Sequence, residues 1–164
     1  MRKIFILIAV ILFVSCSENP KQFSEKALLD MLITQDGSKL TFREVLYKHK
    51  GEKILIDVWA SWCKDCIVGF PKLKELQKQF PEVRYVFLSV DRSNSSWKRA
   101  IERYNLKGDH YNFPKGQNNG DFVDFINLGW IPRYMVIDEA GKITLFKATS
   151  AKDSDITQAL KNDI

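Results

Sequence analysis

The chain has 164 residues, of which 45% are hydrophobic and 27% are charged. These values are ordinary for a globular protein, and the length suits one folded domain. The formal net charge is only +5, and basic residues are interspersed with acidic ones. The composition therefore excludes a nucleic-acid-binding surface as the main function and predicts a mixed, solvated exterior.

The N-terminus begins with Met1-Arg2-Lys3, and residues 4–14 form an unbroken apolar run. This run is much shorter than the roughly 20 residues that span a bilayer. Residues 1–15 are therefore predicted to be a secretory signal peptide. The sequence Phe13-Val14-Ser15-Cys16 resembles the lipobox of bacterial lipoproteins, although Phe13 replaces the usual leucine. That resemblance implies cleavage before Cys16 and a lipid on its sulfur; the alternative is a signal anchor that is never cut.

Residues 16–33 are predicted to be a lipid-anchor tether and N-terminal extension, and residues 34–164 the folded domain. The tether is polar and contains Pro20. Ser24 can cap a short helix that carries Ala27, Leu28, Met31 and Leu32. Residues 28–34 could instead form an edge strand, and the sequence leaves both possibilities open.

The next segments have clearer signals. Asp36-Gly37 indicates a turn, and a capping box between Thr41 and Glu44 predicts a helix over residues 42–48. An apolar run predicts a strand over residues 54–59. A helix is then predicted from apolar residues spaced three and four apart, namely Ile67, Phe70, Leu73, Leu76 and Phe80. Pro71 either bends this helix or begins a second helix after a break.

The remaining elements alternate between strand and helix. The sequence predicts a strand over residues 83–90, a helix over 97–104, a loop over 108–120, a helix over 121–128, a hairpin of strands 134–137 and 142–147, and a final helix from Asp153 or Ser154 to Leu160. The order of strand, helix, strand and helix indicates parallel βαβ units.

Two cysteines stand where the strand over residues 54–59 gives way to a helix. Residues 57–66 read Asp-Val-Trp-Ala-Ser-Trp-Cys-Lys-Asp-Cys. At a helix N-terminus, unpaired N–H groups and the helix dipole stabilise a thiolate, which is the reactive form in disulfide exchange. Zinc sites use the same spacing but need about four ligands, and no second such pair or paired histidine is present. The sequence therefore favours redox chemistry, with no metal and no cofactor.

The stretch from Trp59 to Cys66 resembles the active site of the thioredoxin superfamily. From about residue 34 onward the chain resembles the TlpA/ResA-like branch, because Pro71 follows Cys66 by five residues and Trp130-Ile131-Pro132 precedes a strand. The resemblance implies an α/β thioredoxin-like fold, with a central mixed β-sheet flanked by helices. It also implies a thiol-disulfide oxidoreductase on the periplasmic side of a bacterial envelope.

The same resemblance implies the partners. These are protein substrates that carry disulfides, with cytochrome c maturation or general thiol repair as the setting, and a membrane thiol reductant as electron donor. It does not say whether the protein reduces, oxidises or isomerises disulfides. Competing interpretations are a Cu(I) carrier that binds metal through the two thiolates, a relative of the peroxidases that share this fold, and a non-enzymatic binding module. His49 and His110 are distant in sequence from the cysteines and are expected at the surface or in the core.

Several site residues follow from the resemblance. Pro132 is expected to be cis and to face the disulfide, while the backbone beside Ile131 pairs with substrate; the alternative is a trans proline at a strand start. Trp62, together with Trp59, is expected to shield the site. Arg133 stands where many relatives have threonine, and it either tunes substrate choice or is a solvated charge at the start of a strand.

The candidate acid–base group departs from the pattern of the TlpA/ResA-like branch. Many relatives carry glutamate at the place of Gly69. Asp57, however, occupies the place of the buried acid of thioredoxin, where burial should raise its pKa and suit it to deprotonate Cys66. The alternatives are that Asp57 caps a turn or pairs with Lys53 or Lys74.

The two residues between the cysteines assign their roles. Lys64 beside Cys63 favours the thiolate, whereas Asp65 beside Cys66 disfavours it. Cys63 is therefore predicted to be the nucleophile and Cys66 the resolving thiol.

Overall fold

The structure is a computed structural model that describes residues 18–161. The predicted signal peptide and Cys16 lie outside these residues. The elements in chain order are α1 (Glu25–Leu28), β1 (Met31–Thr34), β2 (Lys39–Thr41), α2 (Phe42–Lys48), β3 (Ile54–Trp59), α3 (Lys64–Gln79), β4 (Arg84–Ser89), α4 (Asn94–Tyr104), β5 (Asp109–Asn112), α5 (Asp121–Phe125), β6 (Arg133–Ile137), β7 (Ile143–Ala148) and α6 (Ser154–Lys161).

The seven strands within residues 18–161 form one sheet in the order β2-β1-β5-β4-β3-β6-β7. Strands β3, β4 and β5 are parallel to one another, whereas β6 runs antiparallel to β3 and β7 antiparallel to β6. At the other edge, β1 is antiparallel to both β2 and β5. The predicted central mixed sheet flanked by helices is therefore confirmed. Strand β3 is buried along its whole length, as its apolar sequence requires for a strand covered on both faces.

Helices cover both faces of the sheet. On one face, Phe70 of α3 packs edge-on against Trp59 with 5.5 Å between ring centroids, and Tyr104 of α4 packs against Phe70. On the other face an aromatic cluster joins residues before α1 to α2 and α5; its members are Phe23, Phe42, Phe113, Phe122 and Phe125. Among the helices described, none combines the length and apolar character needed to cross a bilayer.

Residues 24–34 form both a helix and a strand, and each differs from its prediction. The helix ends at Leu28, so Met31 and Leu32 lie in β1 and not in the helix. Strand β1 is not an edge strand, because it pairs with β2 on one side and β5 on the other. Ser24 caps α1 by accepting a hydrogen bond from the Ala27 N–H, and β1 follows after two residues. Both lie in the predicted extension over residues 16–33 or at its end. Helix α1 contacts α5 and α2, and β1 is a strand of the sheet. The domain boundary at residue 34 stays a prediction.

Two strands were not predicted. The segment over residues 108–120, expected to be a loop, contains β5, which pairs between β1 and β4. Strand β2 is only three residues long and follows the Asp36-Gly37 turn. Helix α4 also begins earlier than predicted, because Ser93 caps it. Pro71 lies within a continuous α3, so the second-helix alternative is wrong.

Candidate active site

Cys63 and Cys66 form a disulfide at the junction of β3 and α3, with their Cα atoms 5.3 Å apart. Cys63 is the N-cap of α3, as the sequence predicts, and its sulfur accepts a hydrogen bond from the Cys66 N–H at 3.1 Å. This N–H and the helix dipole would stabilise negative charge on the Cys63 sulfur once the bond is reduced. Cys66 is fully buried, whereas Cys63 retains 5% exposure, so Cys63 is the sulfur that a substrate can reach.

The loop before β6 faces this disulfide. The Ile131-Pro132 peptide bond is cis, as predicted, and the carbonyl oxygen of Ile131 lies 3.7 Å from the Cys63 sulfur. The side chains of both residues are buried. This loop therefore packs closely against the Cys63 side of the disulfide.

Arg133, the next residue, is not a solvated charge. It is only 2% exposed, and its guanidinium donates hydrogen bonds to the Ile126 carbonyl at 2.7 Å and the Asn127 carbonyl at 3.5 Å. These carbonyls end α5, where unpaired acceptors and the negative end of the helix dipole favour a cation. Burial lowers the pKa of Arg133. The residue thus fixes the segment that leads into Pro132, and a role in substrate choice stays a prediction.

A cleft of about 360 Å³ opens beside Cys63. Trp62 and Trp130 flank it and are 61% and 59% exposed, which is unusual for tryptophan. Gln117 also lines the cleft. Trp130 belongs to the Trp-Ile-Pro motif, but the motif predicts no role for its side chain. Gln117 comes from a loop distant in sequence, and no local pattern indicates it. Trp59, by contrast, is fully buried against Phe70, so it belongs to the core and not to the cleft.

Asp57 is a buried acid, as predicted. It is 1% exposed, and burial raises its pKa from 3.8 to about 8. Neither carboxyl oxygen has a hydrogen-bond partner among the described residues. The predicted alternatives are therefore wrong: Asp57 caps no turn, and the ammonium groups of Lys53 and Lys74 bond to the carbonyls of Leu160 and Tyr104.

The position of Asp57 relative to the cysteines follows from the strand. Asp57 and Trp59 are two residues apart in β3 and so share one face of the sheet. Trp59 packs against α3, and α3 begins with the cysteine turn. Asp57 therefore lies under the first half of α3, on the side of the sheet where Cys66 is buried.

A second buried carboxylate holds the loop that carries Trp62. Asp91 follows β4 and accepts hydrogen bonds from the Ser61 N–H at 2.8 Å, the Ser61 hydroxyl at 2.6 Å and the Ser89 hydroxyl at 2.9 Å. No motif in the sequence indicates Asp91. Its one signal is its position, as an acid at the carboxyl end of a strand that is parallel and adjacent to β3.

The histidines lie away from this site. His110 is buried and stacks on Phe87 with 4.7 Å between ring centroids, and His49 lies 3.3 Å from a Glu52 carboxylate oxygen. Within residues 18–161, no three side chains of histidine, cysteine, aspartate or glutamate are grouped in a way that could hold a metal ion.

Comparison with known proteins agrees with this geometry. Residues 51–143 match the family model described as thioredoxin-like. The chain is 26% identical to the thiol-disulfide oxidoreductase ResA of Bacillus cereus, over 66% of this chain and 59% of ResA. It is 27% identical to the thioredoxin-like protein YneN of Bacillus subtilis, over 80% of this chain and 75% of YneN. The match thus spans about three fifths of the length of ResA.

A solved structure shows the same fold. The solution structure of a Bacteroides vulgatus protein, described as a candidate thiol-disulfide oxidoreductase, is 28% identical and superposes with a TM-score of 0.65. The superposition covers 79% of this chain and 82% of that one.

A mixed sheet with a Cys-x-x-Cys disulfide at the start of a helix and a cis proline opposite defines the class of proteins with a thioredoxin-like fold. The family model matches more than half of the sequence, so this chain belongs to the thioredoxin-like family.

Proposed function

We propose that the protein is a thiol-disulfide oxidoreductase that reduces or exchanges disulfides in protein substrates through Cys63 and Cys66. One observation carries the proposal: the disulfide joins a sulfur at the edge of a cleft to a fully buried sulfur on the face of the sheet that holds Asp57. Such asymmetry assigns the two sulfurs different tasks. The names of the relatives ResA and YneN support the same chemistry.

The reaction has two exchange steps. The Cys63 thiolate attacks one sulfur of the substrate disulfide, forms a mixed disulfide and releases the other sulfur as a thiolate. Asp57 then takes the proton of Cys66, and the Cys66 thiolate attacks Cys63. The bond between Cys63 and the substrate breaks, the substrate leaves as a second thiolate that takes up a proton, and the enzyme ends with its own disulfide. Two electrons have passed from the enzyme dithiol to the substrate.

The cleft indicates how a substrate is held. The backbone at Ile131 and Pro132 offers hydrogen-bonding groups to an extended chain, while Trp62 covers the apolar side chains next to the substrate cysteine. Backbone recognition tolerates many sequences, which suits an enzyme with several protein substrates.

The location of the protein is inferred from sequence. A cleaved signal over residues 1–15 and a lipid on Cys16 would place the domain on the periplasmic side of a bacterial membrane, where a membrane thiol reductant would return electrons to it. Changing Cys16 to serine should release the protein from the membrane fraction, whereas changing Ser17 to alanine should not. Retention of the serine variant on the membrane would contradict the lipid anchor.

The redox couple tests the activity directly. We would titrate the purified protein against glutathione or dithiothreitol buffers and follow the Cys63–Cys66 bond. A reversible two-electron potential below about −230 mV would identify a reductant, and one above about −150 mV an oxidant or isomerase. Absence of any reversible couple would rule out the proposed activity.

Variants of the two cysteines test their roles. Changing Cys63 to serine should abolish turnover, since no nucleophile remains. Changing Cys66 to serine should leave the first step intact and accumulate mixed disulfides, visible by mass spectrometry of non-reduced protein. Normal turnover by the Cys66→Ser variant would show that the assignment is wrong.

A further inference from the structure

Tyr134 on β6 carries a buried hydroxyl group. The residue is 0% exposed, and its hydroxyl makes no hydrogen bond with any described residue. A buried polar group without a partner is destabilising and rare in native proteins. The two carboxyl oxygens of Asp57 are likewise buried and without a hydrogen-bond partner among the described residues.

Tyr134 and Asp57 are neighbours across the sheet. They are directly opposite in the antiparallel register of β6 and β3, so their side chains leave the same face with Cβ atoms about 4.5–5.5 Å apart. The two side chains therefore lie side by side inside an apolar layer, without a hydrogen bond between them in this structure.

The hydroxyl of Tyr134 extends to the first turns of α3. A Cβ atom added to Gly69 would lie 3.1 Å from this oxygen. Gly69 is three residues after Cys66, and residues so spaced are neighbours on one helix face. The hydroxyl thus lies beneath the turn that carries Cys66, in space that a larger side chain at position 69 would occupy.

Apart from the cysteines of α3, the residues paired with or beside these two side chains carry no titratable group. Phe87 on β4 is opposite Asp57, Ala148 on β7 is opposite Tyr134, and Ala151 lies beside Gly69. Helix α3 contributes the two cysteines. Burial is the cause of the raised pKa of Asp57, while burial first and the charge of Asp57 second raise the pKa of Tyr134 far above its ordinary value. Tyr134 therefore keeps its proton and can serve as a hydrogen-bond donor.

We propose that Tyr134 is the positioning residue of the acid–base step, whose hydroxyl donates a hydrogen bond to Asp57 when that carboxyl is ionised and holds it toward the Cys66 thiol. The inference rests on the proposed function. The proton of Cys66 passes to Asp57, the Cys66 sulfur bonds to Cys63, and the substrate sulfur leaves with the electron pair of the broken bond. Tyr134 neither gains nor loses a proton in this step.

The test is the pH dependence of the second exchange step in Tyr134→Phe, measured by stopped flow with the reduced protein and a small disulfide. Loss of the donor disfavours the ionised carboxyl. The step should therefore slow by roughly fivefold at pH 7, as expected for one hydrogen bond, and its midpoint should move to higher pH. Tyr85→Phe is the matched control, because Tyr85 is also buried but donates to the Phe80 carbonyl; its profile should not change.

Two further variants separate positioning from a general structural effect. In an Asp57→Asn background, Tyr134→Phe should cause no additional loss of rate, since both changes act on the same proton transfer from Cys66. Gly69→Ala keeps the tyrosine but places a methyl group against its hydroxyl, and alanine favours the helix. This variant should move the midpoint in the same direction, and it provides the test if Tyr134→Phe does not fold.

The outcomes are distinguishable. An unchanged midpoint in Tyr134→Phe, or a full additional loss in the Asp57→Asn background, would overturn the role of Tyr134. Formation of mixed disulfide in Cys66→Ser should be equally fast with and without Tyr134→Phe; a slower reaction would mean that the tyrosine acts on Cys63, which also overturns the proposal. Failure of the unmodified protein to exchange disulfides would instead overturn the proposed function.

Discussion

The residue that departs furthest from ordinary protein chemistry is Asp57. An acid at 1% exposure, with no hydrogen-bond partner among the described residues, is held mainly in its neutral form at physiological pH. The fold retains it although an apolar residue of similar volume would cost less to bury. Such an acid under a reactive disulfide is suited to accept a proton at a pH near its own pKa.

The raised pKa of Asp57 predicts how stability depends on pH. The carboxyl loses its proton near pH 4 when the chain is unfolded but near pH 8 when it is folded. Stability that is fully present below pH 4 is therefore lost as the pH rises toward 8, by at most about 1.4 kcal/mol per pH unit. Replacing Asp57 with asparagine should remove this dependence and stabilise the protein at pH 8 by a few kcal/mol. Denaturant unfolding at pH 5 and pH 8 measures both effects.

One result of these unfolding measurements would contradict the raised pKa of Asp57. Equal slopes of stability against pH in the unmodified protein and in Asp57→Asn would show that this carboxyl is ionised in the folded state. Asp155→Asn, a change of an exposed acid in α6, is the control and should leave the slope unchanged.

At the scale of elements, the active-site turn is held by the end of β4. Asp91 accepts two hydrogen bonds from Ser61 and one from Ser89, and it is 1% exposed. These bonds fix the segment between β3 and α3 that places Trp62 and Cys63. Both parallel strands β3 and β4 end there, so the sheet itself brings the acid and the turn together.

Replacing Asp91 with alanine should therefore affect both stability and reaction. Loss of buried hydrogen bonds to a carboxylate should cost about 2–4 kcal/mol, and the freed turn should slow the attack of Cys63 on a model disulfide. Asp138→Ala is the matched control. Asp138 is also buried and accepts bonds from the Ala140 and Lys142 N–H groups, but in the β6–β7 turn. It should lose stability without slowing Cys63, and equal slowing in both variants would argue against a specific role for Asp91.

The sequence predicts a helix or strand correctly where the interactions that determine it are between residues close in the chain. Strand β3 and helix α2 have the predicted bounds, because a continuous apolar run and a capping box are signals within a few residues. Strand β5 has neither signal: its sequence Asp-His-Tyr-Asn lies among glycines and prolines, and it is a strand because β1 and β4 pair with it.

The site residues fall into the same two groups, those indicated by local motifs and those set by contacts between residues distant in sequence. The cysteines, Asp57 and the cis Pro132 lie in short recognisable motifs. The approach of Tyr134 to Gly69 depends on the register of β6 against β3 and on where α3 crosses the sheet. No pattern in one sequence encodes that distance, nor does one predict that Arg133 turns inward to the end of α5.

At the scale of the whole molecule, residues from Phe23 onward contribute to the folded core. Phe23 packs against Phe42 with 4.9 Å between ring centroids, and Leu32 is fully buried. Strand β1 lies between β2 and β5, so β2 is joined to the sheet through it. The segment before residue 34 therefore does more than connect the domain to an anchor.

A truncation tests this conclusion. A chain that begins at residue 34 would lose most of β1 and leave the backbone of β5 unpaired on one side, with Phe42 and Phe122 partly uncovered. Removing the buried Phe23 side chain alone should cost about 3–5 kcal/mol, which is a large part of the stability of most domains. The shortened chain should therefore be unfolded or strongly destabilised in thermal and denaturant unfolding. A chain that begins at residue 20, which keeps α1 and β1, is the control and should unfold like the chain from residue 18; equal stability of the two truncated chains would show that β1 is dispensable and that the domain begins at residue 34.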